Sequence, residues 1–273
     1  MKKIFFLMMF FTIALSAGVI SCESRSRKAK EVKSEVVKEN KGHAHDEWSY
    51  VGETAPEHWA ELERGANCDG VYQSPINIID VNTKSLEKLD DFKIHYSSET
   101  ILNKVINNGH TIEFDFEEGD SISFKNEIYH LKQLHFHVHS EHKVNGVIYP
   151  IEIHFVHVNK GGDILVLGVF GVEGEENQYI ESFETYLPLA NGEEKEINVS
   201  KDLNLIIPKD KSLYYYRGSL TTPPCSEKVS WLVFKNPVEL SLGEVLKLKH
   251  DMPAGNYRNE QPLNGRMVYS VNL

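Results

Sequence analysis

Leu134 to His142 reads L-H-F-H-V-H-S-E-H, with His135, His137 and His139 alternating against Leu134, Phe136 and Val138. Successive side chains of a β-strand point to opposite faces. The spacing therefore predicts a strand with three imidazoles on one face and an apolar set on the other. A second run, I-E-I-H-F-V-H from Ile151 to His157, groups Glu152, His154 and Val156 on one face and Ile153, Phe155 and His157 on the other. Histidines at i and i+2 stand about 6–7 Å apart along a strand, near enough to share an ion. A third histidine from a neighbouring strand would complete the three protein ligands of a catalytic zinc site. His154 suits that role better than His157, because Glu152 shares its face and metal-bound histidines are oriented by such acceptors. Taken alone, H-x-H equally describes a polar strand face with solvated imidazoles.

Outward from this stretch the chain keeps the same character. Strand-like runs cover Phe92–Tyr96, Ile101–Asn107, Thr111–Phe116, Ser121–Phe124, Leu131–His139, Val147–Val158, Ile164–Val172 and Val229–Phe234, with Gly-Asp and Asn-Gly pairs between them. Val144-Asn-Gly-Val147 is a hairpin signal. Helical signals are short: Trp59–Glu63, Glu176–Tyr186 and Ser241–Lys249. The expectation is one mainly β domain over residues 47–273, with short peripheral helices.

The N-terminus reads differently. Lys2 and Lys3 precede an apolar run from Ile4 to Ala17 and the tetrapeptide V-I-S-C ending at Cys22. This resembles a bacterial lipobox: residues 1–21 are then a lipoprotein signal peptide, and Cys22 is lipidated. An uncleaved anchor or a plain secretory signal are the other readings. Residues 22–46 are charged and poor in large apolar side chains, as expected of a flexible tether. The implied location is the periplasm or cell envelope, on a membrane through an N-terminal lipid anchor. Export leaves Cys68 and Cys225 in an oxidising compartment, where a disulfide is the default and two buried thiols the alternative. With 40 acidic against 29 basic residues, a net charge of −11, the chain is a poor partner for nucleic acid.

Eight motifs then occur in one order. They are Pro56-Glu-His-Trp59, Gln73-Ser-Pro-Ile-Asn77, Asn107-Asn-Gly-His110, Gln133-Leu-His-Phe-His137, Ser140-Glu-His142, Glu152-Ile-His154, Gly218-Ser-Leu-Thr-Thr-Pro-Pro224 and Gln261-Pro-Leu263. On these the chain resembles an α-class carbonic anhydrase of the bacterial, exported kind. The resemblance implies that family's fold, a large twisted and mostly antiparallel central sheet. It also implies zinc as cofactor, held by His135, His137 and His154. Gln133, Glu152 and the backbone of Asn256 would support those ligands. The implied reaction is attack of zinc-bound hydroxide on carbon dioxide, giving bicarbonate and a proton, with side esterase activity.

By the same resemblance Thr221 accepts the hydroxide proton and passes its own to Glu141. Val156, Val166, Leu220, Thr222, Val229 and Trp231 form the substrate site. His110 is the proton shuttle, with Tyr50 and Asn108 ordering water beside it. Exported relatives carry a disulfide at the places of Cys68 and Cys225, Arg258 belongs to a network near the site, and His142 and His157 are structural. Three residues depart from the pattern: His139 and His130 add imidazoles near the ligand strand, either as polar surface or as a second metal site, and Glu113 stands where an amide is common. Two competing readings are a binding module on the same fold without catalysis, and a general zinc esterase. The complete ligand set with Thr221 and Glu141 opposes the first, and the narrow apolar wall opposes the second.

Overall fold

The computed structural model describes residues 48–62 and 66–273; the signal segment, Cys22 and the tether lie outside them. Among the described residues thirteen strands join in one sheet. Its path begins at Glu194–Lys201, Thr100–Asn107, Ile112–Phe116, Glu127–His137 and Ile151–Val158. It continues through Ile164–Glu173, Glu227–Phe234, Leu213–Ser219, Tyr269–Val271 and Lys84–Leu86. Most pairings are antiparallel; Ile164–Glu173 runs parallel to Glu227–Phe234 and to Val238–Leu240, and Tyr269–Val271 parallel to Lys84–Leu86. The short helices Trp59–Leu62, Gln178–Glu184 and Leu242–Asp251 accompany the sheet.

The strand carrying the opening motif spans Glu127–His137, and that carrying His154 spans Ile151–Val158. They are adjacent and antiparallel, both in the middle of the path. Ile151, Ile153 and Phe155 are fully buried on one side, Glu152 and His154 on the other. One face therefore packs a large apolar core with Leu134, Phe136 and Leu167. The other meets a smaller cluster around Val166, Tyr216, Val229 and Trp231.

Two of the boundaries that differ from expectation bear on the site. Val147–Val158 is not one strand: Val147–Ile148 pairs with Lys143–Val144 in a separate hairpin, and Ile151–Val158 enters the main sheet after Pro150, which has no N–H to donate. The hairpin itself is as expected, with Asn145 at φ 52° and Gly146 at φ 80° between partners Val144 and Val147. The ligand strand stops at His137, so His139 does not continue its alternation. It is exposed, with its ring 5.8 Å from that of Tyr257.

His157 is a buried structural residue. Its Nε2 meets the Tyr96 hydroxyl at 2.8 Å and its Nδ1 the Phe155 carbonyl at 3.0 Å. Burial pushes its pKa down to about 3. Between pH 6.5 and 3 the unfolded chain binds a proton here that the folded chain refuses. Stability is therefore present above 6.5 and falls with decreasing pH, by about 1.4 kcal/mol per pH unit from this residue. Urea unfolding of wild type and His157→Gln across that range should show the variant losing less stability on acidification; equal slopes would contradict it.

Candidate metal centre

The sheet register brings the three histidines together. His154 lies directly opposite His135, and Glu152 opposite His137. Directly opposed residues on antiparallel strands stand about 4.5–5.5 Å apart at Cβ. Ring centroids lie 4.9 Å apart for His135 and His137, 5.1 Å for His135 and His154, and 4.5 Å for His137 and His154. One nitrogen from each falls within 4.8 Å of the other two.

Each ring is held by an acceptor at its far nitrogen. His135 Nδ1 meets Gln133 Oε1 at 2.7 Å, His137 Nδ1 meets the Asn256 carbonyl at 2.5 Å, and His154 Nε2 meets Glu152 Oε1 at 2.9 Å. An acceptor at one nitrogen fixes the proton there and leaves a lone pair on the other. That directs His135 Nε2, His137 Nε2 and His154 Nδ1 to a common point. Burial, and then the neighbouring imidazoles, hold the pKa of His135 well below its ordinary value. Burial likewise lowers that of His137, against the raising influence of Glu141. Neutral imidazole is the form a metal requires.

Among the described residues, the buried His137 Nε2 has no hydrogen-bond partner. A buried, unsatisfied nitrogen is costly unless something else binds it. The donor set, three neutral imidazole nitrogens, is that of a catalytic zinc site with one coordination position left over. The residues thus fit a zinc ion.

The supports are themselves supported. Asn256 uses its whole amide, accepting from Val138 N at 3.0 Å and donating to the Phe136 carbonyl at 2.7 Å. Glu152 Oε2 accepts from the backbone N–H groups of Glu141 and His142, both at 2.8 Å, while Oε1 also takes His142 Nδ1 at 2.7 Å. Burial pushes this carboxyl up, but His142 and His154 outweigh it and leave Glu152 well below the usual carboxylate range. Gly168, opposite His154, leaves room for it: a Cβ there would stand 3.3 Å from Glu152 Oε1. His142 Nε2 meets the Tyr216 hydroxyl at 2.6 Å, which reaches Ser74 Oγ at 2.8 Å. His142, Glu152 and His154 also form a compact ligand-like group, but both His142 nitrogens are already engaged, so this group is a support.

Glu141 is buried beside the cluster. Its Oε1 accepts from Arg258 N at 2.8 Å, and its Oε2 lies 3.5 Å from His137 Nε2. Among the described residues Oε2 has no hydrogen-bond partner. The Thr221–Glu141 bond that the resemblance implies is therefore not formed here, although Thr221 is buried. Arg258 donates to Gln73 Oε1 at 2.7 Å, the Ser74 carbonyl at 2.9 Å and the Cys68 carbonyl at 2.7 Å.

Val166, Val229 and Trp231 pack in one cluster, with Val156 and Leu220 against it. Trp231 lies 4.9 Å from the His154 ring, so this apolar wall adjoins the histidines. Thr222 is half-buried in the following turn, its carbonyl accepting from Cys225 N at 2.8 Å. Cys68 and Cys225 are bonded.

His110 is partly exposed and stacks on Trp48 at 3.5 Å and 11°. Tyr50 packs edge-on to Trp48 and Trp59. Asn108 spends its side chain on the loop, accepting from His110 N and Thr111 N and donating to Glu113 Oε1 at 2.5 Å. Burial, then Asp115, raise the Glu113 pKa against that bond and Lys104. Among the described residues neither His130 nor His139 joins a ligand-capable group. Trp48, Tyr216 and Gly168 carry parts of this arrangement that periodicity does not signal; Trp48 lies far from His110 in sequence, and the other two read as ordinary strand residues.

Residues 54–272 match the family model described as eukaryotic-type carbonic anhydrase. A carbonic anhydrase of Klebsiella pneumoniae is 40% identical over 225 residues, covering 81% of this chain and 89% of its own. That of Neisseria gonorrhoeae is 37% identical over 227 residues, covering 82% and 88%. The solved α-carbonic anhydrase of Thermovibrio ammonificans, in complex with the inhibitor sulfanilamide, superposes with a TM-score of 0.77. It is 40% identical, with 82% of this chain and 98% of that one covered. Through the sheet, the histidine cluster and these relatives together, the chain belongs to the α-carbonic anhydrase family and is a carbonic anhydrase.

Proposed function

We propose that His135, His137 and His154 hold a zinc ion, and that this carbonic anhydrase reversibly hydrates carbon dioxide to bicarbonate and a proton beside it. The observation that carries the proposal is the convergence of three imidazole nitrogens, with the buried His137 Nε2 lacking a hydrogen-bond partner among the described residues. When bound, zinc supplies the Lewis acidity that makes water nucleophilic near neutral pH, an effect for which carbonic anhydrase is the standard example.

The chain's own residues do the rest. Gln133, Glu152 and the Asn256 carbonyl hold the ligand rings in one tautomer and orientation. Val156, Val166, Leu220, Val229 and Trp231 offer a small apolar substrate a wall and exclude water from it. Thr221, a donor and acceptor at once, would orient the attacking water by donating a hydrogen bond to Glu141 Oε2, unpartnered among the described residues, a bond that forms when the site is loaded; Arg258 N holds Glu141 in place for this. His110 takes the released proton toward buffer, its ring steadied on Trp48.

Stopped-flow hydration with parallel metal analysis tests the assignment. A zinc-replete protein without activity, or one indifferent to an aryl sulfonamide, would overturn it. His110→Ala should lower kcat by about tenfold to a hundredfold in weak buffer while sparing kcat/KM, with recovery on adding imidazole; an unchanged kcat would remove His110 from the proton path. Activated esters should be hydrolysed at a far smaller specificity constant than carbon dioxide. On sequence alone, Cys22 is the lipidated N-terminus of an envelope-anchored enzyme, and palmitate labelling that persists in Cys22→Ala would refute that.

A further inference from the structure

The sheet face turned away from the histidines carries a cavity. Along Leu213–Ser219 the side chains alternate. Tyr214 and Tyr216 pack with Trp231, whereas Leu213 and Tyr215 belong to the large core on the opposite face, and Arg217 continues that second set. Tyr215 lies directly across from Tyr269, with the rings 5.9 Å apart and 20° from parallel. Here a cavity of about 480 Å³ opens over Leu86, Leu89, Tyr215, Met267 and Tyr269. That volume falls within the usual range for small-molecule sites, roughly 300–1,000 Å³.

Its rim inverts the charge of the molecule. Lys88, Lys125, Arg217 and Arg266 line it, with Asp90 as the acidic member, on a chain of net charge −11. None of the four cations is ion-paired among the described residues. Their partners are neutral. Lys125 Nζ donates to the Tyr215 hydroxyl at 2.7 Å and lies 4.6 Å over that ring. Arg217 donates to Ser230 Oγ at 2.7 Å. Arg266 donates to the carbonyls of Leu263, Pro262 and Arg217. Four cations against the single lining carboxylate of Asp90 leave a local excess of positive charge in an otherwise repelling field.

The turn that presents Lys125 points the same way independently. Phe124 pairs with Glu127, so Lys125 and Asn126 are the two central residues of a tight hairpin, at φ 53° and 61°. Such turns favour Asn-Gly, because a left-handed backbone strains a side chain with a Cβ. Asn126 conforms, and Lys125 does not. Lys125 thus occupies a strained backbone position with its ammonium on a cavity wall, which fits a role for the side chain there.

We propose that this cavity binds a small organic anion with a flat apolar body, of the aromatic carboxylate class. The carboxylate meets Lys125 and Arg217, and the ring lies over Tyr215, Tyr269 and Met267. The site lies on the sheet face opposite the metal centre, and its occupancy is expected to leave hydration unchanged.

The test uses 2-naphthoate and the zinc-loaded protein, with sulfanilamide at saturation to keep the probe out of the metal cleft. Titration calorimetry should give a Kd below about 1 mM, at least tenfold tighter than acetate. The double variant Lys125→Gly, Arg217→Gln should bind naphthoate at least tenfold more weakly at unchanged hydration activity. Glycine suits the turn, so the variant is expected to fold, and its activity reports that directly. Amide shifts on binding should cluster at Tyr215, Arg217 and Tyr269. No saturable binding, equal affinity for acetate and naphthoate, an unaffected double variant, or shifts confined to the metal cleft would each overturn the proposal.

Discussion

His137→Ala is expected to yield a folded protein that retains no stoichiometric zinc and hydrates carbon dioxide at least about 10³-fold more slowly than wild type. The estimate starts from the roughly 10–100-fold loss in metal affinity or activity caused by deleting only a supporting partner. Removing a ligand must cost more. His137 is the ring with the most to lose, because its Nδ1 is fixed by the Asn256 carbonyl and its Nε2 has no hydrogen-bond partner among the described residues. Glu152→Ala should fall between wild type and His137→Ala. It releases His154 and leaves the backbone N–H groups of Glu141 and His142 without their acceptor in a buried place. Metal content by plasma emission and stopped-flow rates check both. A zinc-replete, active His137→Ala protein would remove this residue from the ligand set, and a Glu152→Ala protein equal to wild type would remove its supporting role.

The second large effect concerns stability. Cys68 and Cys225 are separated by 157 residues, and closing so long a loop in the unfolded chain corresponds to about 4–5 kcal/mol on the chain-entropy model. Reduction, or the paired change Cys68→Ala, Cys225→Ala, should lower the melting temperature by about 10–15 °C for a domain of this size. The bond also lies in a buried cluster with Trp59. The Cys225 carbonyl accepts from Gln73 and the Cys68 carbonyl from Arg258. Cys225 follows Thr221 by four residues, so kcat should fall on reduction even at temperatures where the protein remains folded. Calorimetric scans with and without reductant, with activity measured alongside, decide this; an unchanged melting temperature would show that packing alone holds the segment.

What the sequence revealed depended on which side of each strand is buried. The opening stretch was legible because His135 and His137 alternate with Leu134 and Phe136 on a strand whose two faces do different things. The same parity picked His154 over His157, and the register sets His154 opposite His135. Parity failed at His139 because an alternation says nothing about where a strand ends. The Leu213–Ser219 strand gave no period signal, since Leu213 to Tyr216 are all buried. Glu194–Lys201 gave none for the opposite reason, being mostly exposed along its length. Glu141, Thr221 and Arg258 were visible only through motif resemblance. The positions of Glu141 and Arg258 depend on contacts across 117 to 190 residues of sequence, and no local pattern encodes such contacts.

Those separations also set when the centre can exist. Arg258 ties the carbonyl of Cys68, the amide of Gln73 and the carboxylate of Glu141 to one point near the C-terminal end, and Asn256 fixes the ring of His137. A chain still emerging, or one cut short before residue 256, therefore possesses all three histidines without the scaffold that aims them. Contacts of such range form slowly, because the intervening loop must close before they contribute. If the cluster takes the proposed zinc, loading would then come late in folding, and a ribosome-bound or truncated chain would have little means of capturing the ion prematurely.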